Sequence, residues 1–162
     1  MNPVMLATDG SPTAEEATKL AIDLAAALEA RLVVVSCWEV PIAPVAVGWA
    51  PVAPDVDRIG EEEAEAAADR AADRAREAGV SALAFVRRGD PGREICAIAA
   101  ERVVRLIVLG SHGWGAFRRL AFGSVSTAVL HHARQPVLVV PKAKVAAATN
   151  GGRVLAEAGR SR

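Results

Sequence analysis

Cysteine is scarce: Cys37 and Cys96 are the only two in 162 residues. Both stand among apolar neighbours in runs that read as regular elements, which excludes a CxxC motif and a disulfide framework and suits a reducing compartment. Net charge is also missing, since 19 Lys and Arg balance 19 Asp and Glu. Without an excess of either sign, bulk electrostatics give no reason for a nucleic-acid binder or a polybasic membrane anchor. No apolar run approaches the ~20 residues of a membrane-spanning helix, and the first residues enter a strand-like run without a basic start or an apolar signal core. The expectation is a soluble, cytoplasmic protein that contacts neither nucleic acid nor membrane.

Acids are absent from one long stretch: between Glu101 and Glu157 there is no Asp or Glu, while Arg102, Arg105, Arg118, Arg119, Arg134, Lys142, Lys144 and Arg153 all fall there. A small anion would find favourable potential along it, although a solvated basic face reads the same way. What the chain has in plenty is apolar residues, 52% of the total, enough for one core in a single domain.

The pattern alternates strands with helices. Val4 to Thr8 and Leu32 to Val35 are short apolar runs suited to strands buried on both faces, and between them Ser11 and Pro12 open a helix with Ala17, Leu20, Ala21, Leu24 and Leu28 at helical spacing. The link from Glu39 to Asp57 carries Pro41, Pro44, Pro51 and Pro54, which exclude a regular element there. A helix is predicted over Glu61 to Ala78, its Ala64, Ala68, Ala71, Ala75 and Ala78 forming a thin stripe stopped by Gly79. Leu83 to Val86 is the third strand, and Gly89-Asp90-Pro91 starts a helix over about Gly92 to Arg102. Leu106 to Leu109, a helix over about Ser124 to His132, and Val137 to Val140 complete the series, with residues 142–162 expected to be a mobile tail after a domain of residues 1–141. Such alternation indicates a parallel sheet with helices on both faces, binding its ligand beyond the carboxyl ends of the strands.

The loop after the fourth strand carries the chemistry. It reads Gly110-Ser-His-Gly113-Trp-Gly115-Ala-Phe-Arg118-Arg119-Leu-Ala-Phe-Gly123-Ser124-Val-Ser126. Glycines at its first, fourth and fourteenth positions let backbone N–H groups approach a ligand, and the helix that Ser124 and Ser126 open offers free N–H groups to an anion. Neither GxxxxGK[ST] nor GxGxxG fits, because no Lys follows a glycine and Arg118 stands where the last glycine would be. A purely structural reading, with glycines for turns and Ser124 as an ordinary N-cap, stays open.

Gly110, Gly113, Gly123 and Ser124 match G-x2-G-x9-G-[ST] without a gap, and the stretch resembles the ATP-binding members of the universal stress protein family. The likeness extends to Met5 through Ser11, to Gly89-Asp90-Pro91 and to Pro136 through Pro141, covering about Asn2 to Pro141. The resemblance implies a Rossmann-like doubly wound α/β fold, a five-stranded parallel sheet in the order 3-2-1-4-5, with an adenine nucleotide across the tips of strands one and four. By the same resemblance Ala7, Thr8, Asp9, Cys37 and Leu109 bound the adenine end, and Gly110, Gly113, Gly123, Ser124, Val125 and Ser126 meet ribose and phosphates. ATP is the first expectation, with ADP, AMP or cyclic AMP as alternatives and Mg2+ accompanying the nucleotide. A homodimer through Val137 to Val140 is implied too.

Other residues admit two readings each. Asp9 could accept hydrogen bonds from adenine or ribose, or serve an Asx turn. His112 could touch a phosphate, although a solvent-facing loop histidine is the preferred reading. Arg118 and Arg119 could clamp a terminal phosphate or form an exposed basic turn, and Trp38 and Trp49 could wall the base or fill a core. His131 and His132 face different ways on a helix and make a poor metal pair. No nucleophile with its base and orienter is recognisable, so a regulatory nucleotide-binding module is expected, ahead of a slow ATPase or transferase using Asp9 or His112 and of a structural dimer without nucleotide.

Overall fold

The computed structural model describes residues 2–39, 54–113 and 122–141. Trp49, Trp114, Arg118, Arg119 and the tail after Pro141 lie outside them. Nine elements alternate: β1 (Val4–Ala7), α1 (Pro12–Ala27), β2 (Leu32–Trp38), α2 (Pro54–Glu77), β3 (Ala82–Arg88), α3 (Pro91–Glu101), β4 (Leu106–Gly110), α4 (Ser124–His132) and β5 (Val137–Val140). The strands form one parallel sheet in the order β3-β2-β1-β4-β5, as the resemblance implied. β1, in the middle, is buried at every residue, which is why it reads as an unbroken apolar run with no polar alternation.

Helices cover both faces. Val4, Leu6, Leu32 and Val34 pack on one side against α1 and α2, while Met5, Ala7, Val33 and Val35 pack on the other with α3 and α4 residues such as Ile95, Ile98 and Val129. The period-two alternation of side chains sorts each strand between the two layers. α2 buries Ala64, Ala67, Ala68, Ala71, Ala72 and Ala75, a stripe at i, i+3, i+4, i+7, i+8 and i+11 whose small side chains bring the helix close to the sheet. Ala78 is exposed, beyond the end of that stripe, and on α1 Leu20 turns outward while Ala25 takes an inner place.

The link expected to be irregular through Asp57 turns out to be helical from Pro54. Proline is tolerated in the first turn because its missing N–H has no intrahelical acceptor there, and Asp55 and Asp57 suit the positive end of the helix. Asp57 also fastens this start to the sheet: Trp38 Nε1 donates to its Oδ1 at 3.0 Å and Arg88 pairs with Oδ2 at 3.3 Å. The Trp38 ring lies against Gly60, where an added Cβ would stand 3.1 Å from Cδ1.

α1 and α3 end alike. In each, the residue after the C-cap is left-handed, and its own amide and the next bond back in a Schellman pattern: Glu29 N to Ala26 O and Ala30 N to Ala25 O, then Val103 N to Ala100 O and Val104 N to Ala99 O. Val103, at φ 51°, is a β-branched residue in a conformation that favours glycine, and it is 61% exposed, so little packing recompenses the strain. Val103→Gly is therefore expected to raise stability by about 1 kcal/mol. Thermal unfolding checks this; an unchanged or lower midpoint contradicts it.

Candidate functional site

The topological switch lies between β1 and β4, because α1 leaves one face and α4 the other. A cavity of about 570 Å³ opens there, within the range of small-molecule sites. Its floor is a row across three strands: Ala7 pairs in register with Val35 on one side and Leu109 on the other, and Cys37 stands two residues beyond Val35. Pro91 and Ile95, one turn apart on α3, form an apolar wall. All eleven residues named from the sequence line this one cavity, together with Ala14, Val35, Pro91, Ile95, His112 and Phe122.

At the β1 tip, Asp9 Oδ1 accepts the Ser11 N–H at 3.0 Å and Thr8 Oγ1 accepts the Gly10 N–H at 3.2 Å. Asp9 thus makes the Asx turn, and it also lines the cavity. Ser11 in turn caps α1 through the Ala14 N–H at 3.3 Å, as its position before Pro12 foretold.

The opposite rim is the start of α4, where Gly123 is the N-cap, extended at φ −71° and ψ 168°. The alternative reading of Ser124 as an ordinary N-cap is overturned: Ser124 is the first helical residue, and Gly123 has no side chain to cap with. Among the described residues no side chain caps this end. The amides of Ser124, Val125 and Ser126 belong to the first turn, so they have no intrahelical acceptor, and the helix dipole adds partial positive charge. Ser124 is exposed, and its hydroxyl makes no hydrogen bond among the described residues. Ser126 is different: its hydroxyl is buried, within 3.0 Å of Ser111 O and 3.1 Å of Gly123 O.

The motif glycines serve different purposes. A Cβ on Gly110 would lie 3.0 Å from the Thr13 carbonyl carbon and 3.1 Å from Ala14 N, so its bareness lets the β4 tip meet the first turn of α1. At Gly113 a Cβ would run into the Asp9 carboxylate, and at Gly123 it would find only ordinary contact, 3.4 Å from Ser111 O. Gly92 was not singled out from the sequence. A Cβ there would stand 2.6 Å from Ala128 Cβ, so the first turn of α3 presses on α4 and steadies the rim.

His112 lines the cavity at intermediate exposure, against the preferred reading of a solvent-facing loop histidine. Its Nδ1 lies 3.0 Å from Ser111 Oγ, which holds the ring at the mouth. Trp38 does not line the cavity, because successive side chains on β2 alternate and Cys37 takes the inward place. Burial, then the nearby Glu94 carboxylate, push the Cys37 thiol up to about 12 from an ordinary 9.0, with Arg87 opposing and Asp90 adding. Near neutral pH Cys37 is thus a neutral wall. Native protein at pH 8 is expected to alkylate at Cys37 about a thousandfold more slowly than the urea-unfolded chain, following its thiolate fraction. Equal rates in a mass-resolved iodoacetamide time course contradict that.

A doubly wound sheet with an apolar-floored cavity over its switch point, rimmed by a helix start that no side chain among the described residues caps, defines an α/β domain with its cavity where such sheets take small ligands. The chain belongs to the universal stress protein family, whose sequence profile matches residues 1–141. It is 36% identical over 138 residues to universal stress protein Rv2005c of Mycobacterium tuberculosis, covering 85% of this chain and 44% of the relative. The chain thus spans less than half the length of that relative. With universal stress protein MJ0531 of Methanocaldococcus jannaschii it shares 34% identity over 144 residues, covering 87% and 82%.

Among solved structures, a universal stress protein family member from Burkholderia pseudomallei is 31% identical with a TM-score of 0.66, covering 86% of this chain and 96% of the other. Two further structures share the fold at lower identity. One is a universal stress protein in complex with cAMP, 24% identical with a TM-score of 0.64 and covering 88% and 98%. The other is a universal stress protein from Archaeoglobus fulgidus in complex with dAMP, 22% identical with a TM-score of 0.63 and covering 86% and 98%. Among the described residues no helix is long and apolar enough to cross a membrane.

Proposed function

We propose that the chain is a nucleotide-binding regulatory module that holds ATP, or a related adenine nucleotide, in the cavity between β1 and β4. The observation that carries this reading is the start of α4 on the rim of an apolar-floored cavity, capped by no side chain among the described residues, where first-turn amides can receive phosphate oxygens. The Ser124 and Val125 amides would hold the phosphates, while the Gly123 N–H stays on Ser111 O. The Val35-Ala7-Leu109 floor, Cys37 and the Pro91-Ile95 wall would take the base, with Asp9 between as an acceptor for ribose or adenine N–H and O–H groups. Two fold neighbours in complex with cyclic AMP and dAMP support the choice of an adenine nucleotide.

Mg2+ would accompany the nucleotide, bound mainly through its phosphate oxygens. Calorimetric titration with ATP, ADP, AMP and cyclic AMP tests the reading. A saturable heat with at least one of them is expected; no heat and no thermal shift with any of the four would end it.

β5 is an edge strand whose four residues stay half-exposed, and pairing of two copies along it would cover that edge. A dimer is expected in sedimentation at micromolar concentration, and a monomer there contradicts the pairing.

A further inference from the structure

We infer that Ser126 is a positioning residue: its hydroxyl fastens the mouth of the phosphate loop through the Ser111 carbonyl and does not itself bind phosphate. Among the described residues, three hydrogen bonds meet at the Ser111 main chain. Its N–H donates to Val140 O at 2.8 Å, which carries the β4–β5 ladder one residue past β4, and its carbonyl accepts the Gly123 N–H at 2.7 Å and the Ser126 hydroxyl at 3.0 Å. The two ends of the glycine loop are thereby closed on each other, and the closure is anchored to the sheet. The start of α4 is held in place from two sides, by the Gly123 amide before it and by Ser126 one turn within.

A hydroxyl has one proton to give. In Ser126 it is directed at Ser111 O or, 3.1 Å away, at Gly123 O, and the side chain is only 2% exposed. Turning it toward a phosphate would withdraw a donor from a buried carbonyl, while the lone pairs that remain on Oγ offer nothing to an anion. Ser124, exposed and without a partner among the described residues, has no such commitment. The seat is accordingly assembled before any ligand arrives, with Ser126 acting on the position of the Ser124 and Val125 amides. Its meaning for phosphate rests on the nucleotide reading above, but the clamp itself belongs to the ligand-free protein.

Amide hydrogen exchange of the ligand-free protein, read by NMR for Ser126→Ala and Ser126→Cys, separates the two. In both variants the Gly123 N–H still has Ser111 O as its acceptor, so the carbonyl keeps one partner. The expected result is that the Gly123 and Ser111 amides exchange about fivefold to tenfold faster in both variants, while β1 and β4 amides stay within about twofold of the parent. Unchanged exchange at Gly123 and Ser111 overturns the inference, and so does a uniform acceleration across the core. Neither outcome depends on whether a nucleotide binds.

Discussion

Ser124→Asp is expected to weaken ATP binding by roughly 30- to 1,000-fold while leaving the ligand-free protein within about 1 kcal/mol of its parent stability. The two effects have opposite origins. A carboxylate at the first residue of α4 lies beside the positive end of the helix, which by itself stabilises by ~0.3–1 kcal/mol. The same charge stands a few ångströms from where phosphate oxygens would settle, and a like charge at that distance near a protein surface costs roughly 2–4 kcal/mol. Asp9, lining the same cavity, takes back part of the stabilising gain. Ser124→Asn keeps the size without the charge and should stay within about threefold of the parent in affinity. Titration calorimetry and thermal unfolding on the same three proteins separate binding from folding. If Asp and Asn lower affinity alike, sterics and not charge would govern the seat.

The second large effect falls on Gly110. Replacing it with Ala should cost roughly 1–3 kcal/mol and replacing it with Val more, because the added Cβ meets the backbone of Thr13 and Ala14 at 3.0–3.1 Å and backbone cannot turn aside as a flexible side chain can. For a chain of this size that lowers the melting midpoint by about 2–4 °C per kcal/mol. Gly123→Ser makes the contrast, since a Cβ there finds ordinary contact and serine ranks at least as high as glycine as an N-cap. Its midpoint should hold or rise, while its hydroxyl, able to occupy a first-turn amide, competes with phosphate. Equal destabilisation at positions 110 and 123 would mean that the close approach of β4 to α1 is not what Gly110 serves.

These contrasts bear on how far the sequence could be read. The strands were legible because β1, β2 and β4 are apolar runs, whereas their order and the eleven cavity residues followed from the family resemblance that the spacing of Gly110, Gly113, Gly123 and Ser124 carries. What each glycine is for was not. Spacing marks where a Cβ is missing but not what the gap faces, and at Gly110 it faces helix α1. The wall of Pro91 and Ile95 was hidden for a related reason: periodicity gives the inner face of α3, not which stretch of that face overhangs the cavity.

Pro54 misled by its company. Three prolines before it made the whole link look irregular, yet a proline in a first helical turn costs nothing, and the Asp57 contacts with Trp38 and Arg88 that favour an early start join residues far apart in sequence. Ser126 shows the converse. Its motif position suggested a phosphate ligand, and only its distances to Ser111 O and Gly123 O reveal a different commitment.

In the proposed function, main-chain amides at the start of α4, capped by no side chain among the described residues, receive the ligand's phosphates. Backbone amide chemical shifts of isotopically labelled protein, followed through a titration with ATP and then with adenosine, test it most directly. The Ser124 and Val125 signals should move downfield with ATP, further than any other amides, and stay near their ligand-free positions with adenosine. Saturable binding of ATP that leaves both signals in place would contradict it.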